Sequence, residues 1–250
     1  MSESGRSFGV PQDDRHLGTR YLLALIAILL LAAALRVYHI GEKSLWWDEF
    51  QSLAMACGRG FTHLQLPTGV VIAHPPKVID LATALPIRVL WTEPQGHMPP
   101  LYPLVLRFWL TVFGTGPESV RAFSAVMSVA AVALVFLVVR ETLGTTTGLW
   151  AALLMAVASP QVQLGQEGRL YTLLLVEALG AALALLRIER HGPTLARAAA
   201  LTLCVLAMAL THYFTAGALL ALALYAGLRL RGPRLKAALA CFLVAGIAWL

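Results

Sequence analysis

The chain has 250 residues, 58% of them hydrophobic and only 13% charged, with a formal net charge of +6. A mean hydropathy of +0.74 excludes an ordinary soluble domain. The basic residues are scattered through short loops between apolar runs, which argues against nucleic acid as the partner and suits a membrane protein.

A polar tail, residues 1–20 with Arg6, Arg15 and Arg20, precedes the first apolar run, Tyr21 to Ile40, which only Arg36 interrupts. Ala32-Ala33-Ala34 resembles a signal-peptidase site. An uncleaved anchor is the better reading, because cleavage would detach the segment that follows from the helix that places it. That segment is Ser44-Leu45-Trp46-Trp47-Asp48-Glu49-Phe50. Tryptophan concentrates where bilayer meets water, so Trp46 and Trp47 set the depth of two adjacent carboxylates near the membrane surface. Acidic residues also open helices for ordinary reasons, offsetting exposed N–H groups and the dipole. The spacing of Phe50, Leu53, Ala54 and Cys57 predicts such a helix, short and amphipathic, with Asp48 and Glu49 in its first turn.

Further apolar segments follow at about 101–113, 120–139, 146–159, 170–186, 196–211, 214–228 and from 235 onward. If 101–113 spans and the N-terminus is inside, then Arg187, Arg190, Arg197, Arg229, Arg231, Arg234 and Lys236 all fall outside. That reverses the cytoplasmic bias of Lys and Arg. If 101–113 lies along the surface, Arg140 and those seven fall inside. Thirteen helical residues reach only about 20 Å, short of a ~30 Å hydrocarbon core. Arg107 and Thr111 share one stripe, while Leu101, Leu104, Val105, Phe108 and Val112 share another, as an interfacial helix requires. The expected organisation is a cytoplasmic tail, 1–20, and a transmembrane module, 21–250. Its first extracytoplasmic loop runs from about 41 to 118 and carries the interfacial helix 101–113. Loops of that length are usually functional. The chain reaches Leu250 inside an apolar run, and a longer protein is expected.

Several polar residues stand out. Arg169 is the one basic residue between the segments ending near 159 and starting near 170, in Gln163-Leu164-Gly165-Gln166-Glu167-Gly168-Arg169-Leu170-Tyr171. A snorkelling arginine paired with Glu167 would account for it; so would a guanidinium that binds phosphate with its planar fork. His97-Met98-Pro99-Pro100 leads into 101–113, and His74-Pro75-Pro76-Lys77 stands earlier in the loop. Either imidazole could donate to a phosphate oxygen or simply cap a turn. His212-Tyr213 marks a later outer turn, and Glu177 lies well inside an apolar run, where a carboxylate usually faces a polar cavity or a partner. Cys57, Cys204 and Cys241 make no disulfide framework. HExxH, GxGxxG, P-loop and paired CxxC motifs are all missing, so no cofactor and no metal ligands are expected, with a divalent ion left open.

The order of these features resembles a known family. A membrane anchor is followed by Leu-Trp-Trp-Asp-Glu, then by His-(Met)-Pro-Pro-Leu-Tyr with an amphipathic helix. Ser159-Pro160, Gln166-Glu167-x-Arg169-x-Tyr171 and Thr211-His212-Tyr213 complete it. This is similar to bacterial members of glycosyltransferase family 39 and to related GT-C enzymes that use polyprenyl-phosphate sugars, among them protein O-mannosyltransferases and lipid A aminoarabinose transferases. The resemblance covers the chain from about residue 20 onward.

The resemblance implies an all-α polytopic membrane protein, a GT-C-type bundle whose long first outer loop carries juxtamembrane helices, in a bacterial inner or cell membrane. Its activity would be inverting transfer of a sugar from a polyprenyl-phosphate donor to an acceptor hydroxyl on the extracytoplasmic face. Asp48 matches the proposed base and Glu49 its neighbour. His97 and Arg169 match positions linked to the carrier phosphate, with Gln166, Glu167 and Tyr171 in the same motif. Met98 interrupts the commoner His-Pro-Pro, which leaves His74, with its unbroken triplet, as the alternative to His97. A multispan transporter would instead put ionisable groups near mid-bilayer and show repeated halves; only Glu177 is so placed. A non-catalytic assembly subunit with the same fold is the third reading.

Overall fold

The computed structural model describes residues 18–60, 66–74, 77–93 and 98–249. Each apolar segment found in the sequence forms a helix. In chain order these helices are α1 (Thr19–Val37), α2 (Trp47–Ala56), α3 (Ile87–Thr92), α4 (Leu101–Phe113), α5 (Pro117–Leu143), α6 (Thr145–Val157), α7 (Ser159–Gly165), α8 (Tyr171–His191), α9 (Leu195–Thr211), α10 (Ala216–Arg229) and α11 (Gly232–Trp249). Single 3-10 turns lie at Leu81–Thr83 and Tyr213–Thr215. The described residues form no strand, and the chain is an all-α polytopic membrane protein.

Length and composition qualify α1, α5, α8 and α11 as spans, with α6 and α7 a fifth if the bent pair counts as one. A span needs about 20 residues, so α9 and α10, at 17 and 14, are short. Leu22, Leu23 and Leu30 on α1 and Leu239, Leu243 and Ile247 on α11 are exposed. Such faces belong against lipid, because tails are as apolar as leucine.

For the same reason apolar burial does not by itself hold helices together in a bilayer; close approach and buried polar bonds do. The long α5 packs on α1, α6, α7 and α8. Gly148 lets α6 lie directly on α5, since a Cβ there would sit 2.9 Å from the Phe136 carbonyl oxygen. Tyr102, Leu106 and Leu110 of α4 pack with Leu53, Phe123 and Leu173 in one buried cluster. A second cluster joins α8 to α11 around Leu185, Ile188, Leu201 and Met208.

The sequence reading ends an apolar run at 159. The structure shows instead a helix that bends by 64° and continues as α7. Pro160 has no N–H, so the Ala156 carbonyl loses its helical donor. Arg36, fully buried in α1, supplies the replacement: Nη1 donates to Ala156 O and to Ala32 O, each at 3.0 Å. Its Nε donates to Ser128 Oγ at 2.6 Å and its Nη2 reaches Met155 O at 3.5 Å. The arginine that interrupts the first apolar run is thus spent on the break in another helix.

α4 has the bounds expected of 101–113 and three faces rather than two. Tyr102, Leu106 and Leu110 are buried, while Phe108 and Val112 of the expected apolar stripe are exposed. Arg107 Nη1 donates to the Leu85 carbonyl at 2.6 Å.

Candidate active site

The site forms where α2, the start of α5 and the turn between α7 and α8 meet. Glu49, in the first turn of α2, is fully buried. Nε and Nη2 of Arg121 donate to its Oε1 and Oε2 at 2.8 and 2.7 Å, a bidentate pair. Gly168 N donates to Oε1 at 2.8 Å, and Trp46 N to Oε2 at 3.4 Å, which closes the first turn of α2. Burial favours the neutral acid, but the Arg121 bonds and the Gly168 N–H outweigh it and hold the carboxyl below its ordinary value.

The other N–H groups of Arg121 are also used. Nη1 donates to Ile40 O and Lys43 O, and Nη2 to Ser44 O. All five guanidinium N–H groups therefore bind either Glu49 or the link between α1 and α2. Arg121 was missed in the sequence. A basic residue near the start of a long apolar helix is a usable signal for it, because such residues are costly unless paired.

The turn before α8 is held as tightly. Tyr102 Oη donates to Gly168 O at 3.0 Å, and Ser124 Oγ to Arg169 O at 3.1 Å. Gly168 must be glycine: a Cβ would run into Val120 Cγ1. Gln166 Nε2 donates to Leu35 O and Tyr38 O, each at 3.0 Å, and so satisfies carbonyls at the end of α1. Glu167 is half-buried beside it.

This frame delivers Arg169 to Asp48. Nη1 of Arg169 donates to the Asp48 carbonyl oxygen at 2.9 Å and lies 3.4 Å from Ser52 Oγ. Nη2 is 3.6 Å from Asp48 Oδ2. The Nε atom is buried and has no acceptor among the described residues. The Tyr171 ring sits under the guanidinium, 5.7 Å from Cζ. The paired carboxylates thus divide: the Asp48 side chain is 38% exposed and the Glu49 side chain 1%. The Asp48 carboxylate is accessible from outside the bundle and that of Glu49 is not.

Of the other sequence candidates, His97 lies outside the described residues, as do Pro75 and Pro76. His74 is exposed, and no hydrogen bond or ion pair ties it to Asp48 or Arg169 among the described residues. The described residues hold no cluster of three or more His, Cys, Asp or Glu suited to a metal ion. Trp46 and Trp47 are 47% and 58% exposed, as an interfacial belt requires.

The helical membrane bundle and a family match together define a membrane glycosyltransferase of the GT-C type. The chain belongs to the dolichyl-phosphate-mannose-protein mannosyltransferase family, whose family model matches residues 97–250, more than half of it. No curated protein and no solved structure matches the chain.

Proposed function

We propose that this protein moves a sugar, with inversion, from a polyprenyl-phosphate donor to an acceptor hydroxyl at the extracytoplasmic face. The observation that carries this reading is the division of labour between the two acids. Glu49 is consumed by Arg121 and Gly168, whereas Asp48 keeps an accessible carboxylate.

Asp48 takes the acceptor's O–H proton as that oxygen bonds to the anomeric carbon. The bond from carbon to phosphate oxygen breaks with its electron pair, and polyprenyl phosphate leaves. Arg169 opposes the charge that collects there. Attack and departure occur on opposite sides of the sugar, so the configuration inverts. Nη2 of Arg169 leans on the Asp48 carboxylate, and an arriving phosphate competes for it. Nη1 stays on the Asp48 backbone and keeps base and cation in register. Glu49 acts at a distance from the chemistry, by fixing α2 and the Gly168 turn.

The exposed Phe108 and Val112 of α4, and the 13-residue length of that helix, support its place in the membrane surface beside the site. Arg187, Arg190, Arg197, Arg229 and Arg231 lie at the far ends of α8 to α11, which supports the same side assignment.

The test supplies labelled polyprenyl-phosphate sugars to membranes that contain the full-length protein and identifies what becomes labelled. Asp48→Asn is expected to abolish transfer while leaving expression intact. Transfer at the wild-type rate by Asp48→Asn would end the proposal. A topology reporter in the α8–α9 link is expected to read cytoplasmic, and an external reading would reverse the side of the membrane assigned to the chemistry.

A further inference from the structure

The link between α10 and α11 gathers Arg229, Arg231, Arg234 and Lys236, with no acidic residue among or between them. All four are exposed. The link is nonetheless firmly placed. Leu230 is buried in the cluster that joins α8 to α11, together with Ala226 and Ala238 from the helices on either side. Gly232 turns the chain at a φ of 56°. Nη1 of Arg231 donates to Gly227 O at 2.9 Å and to Leu230 O at 2.8 Å, which closes the end of α10.

The bundle does not neutralise this charge. Glu189 is the one carboxylate paired with it among the described residues: Arg229 Nε donates to Oε1 at 3.2 Å, while the Tyr225 hydroxyl donates to Oε2. Glu141, at the end of α5, is already engaged by Arg187 Nε at 3.1 Å and His191 Nε2 at 3.3 Å. Arg234 and Lys236 make no ion pair among the described residues. Nor do they serve α11 itself. Its first turn holds no acidic residue, and cations near a helix N-terminus oppose the dipole. The tail, 1–20, brings no surplus of acid, since Glu3, Asp13 and Asp14 are matched by Arg6, Arg15 and Arg20.

Depth points to where the counter-charge lies. The 14 residues of α10 reach about 21 Å at ~1.5 Å each. The three-residue 3-10 turn before it adds ~2 Å per residue, which still falls short of a ~30 Å hydrocarbon core. The basic end of α10 is therefore drawn to the level of the lipid phosphates. Apolar stripes lead away from it. Leu228, Leu224 and Leu220 on α10 and Leu239 and Leu243 on α11 are exposed, each set at the i, i+4 spacing of one helix face. Cations at one end and leucines along the rest match an amphiphile with an anionic head and acyl chains.

We propose that the α10–α11 link binds an anionic phospholipid, whose phosphate is held by Arg229, Arg234 and Lys236 and whose chains lie along the exposed leucines. Clusters of Lys and Arg directly beside a membrane helix attract such lipids. The length of α8 separates this site from the chemistry, with Arg169 just before its first residue and Glu189 in its last turn. The lipid site therefore stands apart from the transfer reaction. Through Glu189 and Leu230, the bound lipid steadies α10 and α11 against α8.

The test uses the full chain in a neutral detergent, titrated with phosphatidylglycerol and separately with phosphatidylcholine, with bound lipid counted by native mass spectrometry. Inorganic phosphate is the third probe, added as a competitor. The wild type is expected to prefer phosphatidylglycerol and to gain melting temperature when it binds. Arg234→Gln with Lys236→Gln is expected to weaken phosphatidylglycerol by about 30-fold, the effect of two surface cations. Without lipid this variant is expected to melt as the wild type does, because neither side chain has an ion pair to lose. Lys77→Gln with Arg88→Gln removes as much charge from the loop before α4 and is expected to leave binding unchanged.

Equal affinity for phosphatidylcholine, or wild-type binding by the Arg234→Gln and Lys236→Gln variant, would overturn the proposal. So would an equal loss in the Lys77→Gln and Arg88→Gln variant, which would make the effect one of net charge. Displacement by inorganic phosphate at the lipid's own concentration would make this a site for free phosphate and would overturn it as well.

Discussion

Arg121 closes on Glu49 with two bonds, at 2.8 and 2.7 Å, across 72 residues of chain, and with its remaining N–H groups holds three backbone carbonyls between α1 and α2. One guanidinium thus joins the anchor helix, the helix that bears Asp48 and the long α5. Removing one partner leaves the other charge buried and unpaired, which costs about 3–5 kcal/mol. Arg121→Leu is expected to lower the melting temperature sharply in detergent. Arg121→Lys should recover little, because an ammonium cannot make the bidentate fork.

The same pair sets an acid limit. The Glu49 carboxyl is held below the free glutamate value of 4.5 in the folded protein. Its contribution to stability is therefore complete above pH 4.5 and is lost as pH falls through the lower folded-state value. Thermal unfolding followed across that window is expected to show the loss in the wild type. Glu49→Gln should be less stable at neutral pH and should lack that component of the pH dependence.

Gly168 offers its N–H to Glu49 and its carbonyl to Tyr102, one residue before Arg169. A methyl group at this position meets Val120. Gly168→Ala is expected to destabilise the protein by about 1–3 kcal/mol, the usual cost of overpacking, and to reduce transfer by displacing Arg169. Val120→Ala in the same chain should restore much of both, and a double-mutant cycle on melting temperature and rate measures the coupling.

Arg36 replaces the hydrogen-bond donor that Pro160 lacks. Arg36→Leu strands the Ala156 carbonyl and is expected to cost about 1–3 kcal/mol. Pro160→Ala restores an N–H four residues beyond Ala156, so the double variant should be more stable than Arg36→Leu alone. Equal stability of the two would show that the bend in the α6–α7 pair is not what Arg36 supports.

Arg169→Lys tests the cation without emptying the site. A lysine cannot reach the Asp48 carbonyl, Ser52 and a phosphate together as the fork does. Turnover is expected to fall by about 10²-fold, as when one preorganised donor is lost, with a small change in melting temperature. A lysine variant at full rate would remove Arg169 from the leaving-group role.

Much of this was legible in the residues. The helices appear where apolar runs and their spacing predict them, down to the bounds of α4, because each run must satisfy its backbone internally in lipid. Asp48 and Arg169, 121 positions apart, were both singled out, since charge beside an apolar run is costly enough to need a reason. Neither their contact nor the fate of Arg36 could be read, because a buried charge announces only that it has a partner.

By itself the sequence determined a helical membrane protein, the place of Trp46-Trp47-Asp48-Glu49 soon after its first helix, and a short list of polar residues that call for a reason. Only the tertiary structure decided which acid is buried and which is accessible. Asp48 and Glu49 are adjacent and alike in chemistry, but successive residues of a helix point about 100° apart. That rotation sends Glu49 into the bundle, onto Arg121 and Gly168, and leaves Asp48 at the opening beside Arg169.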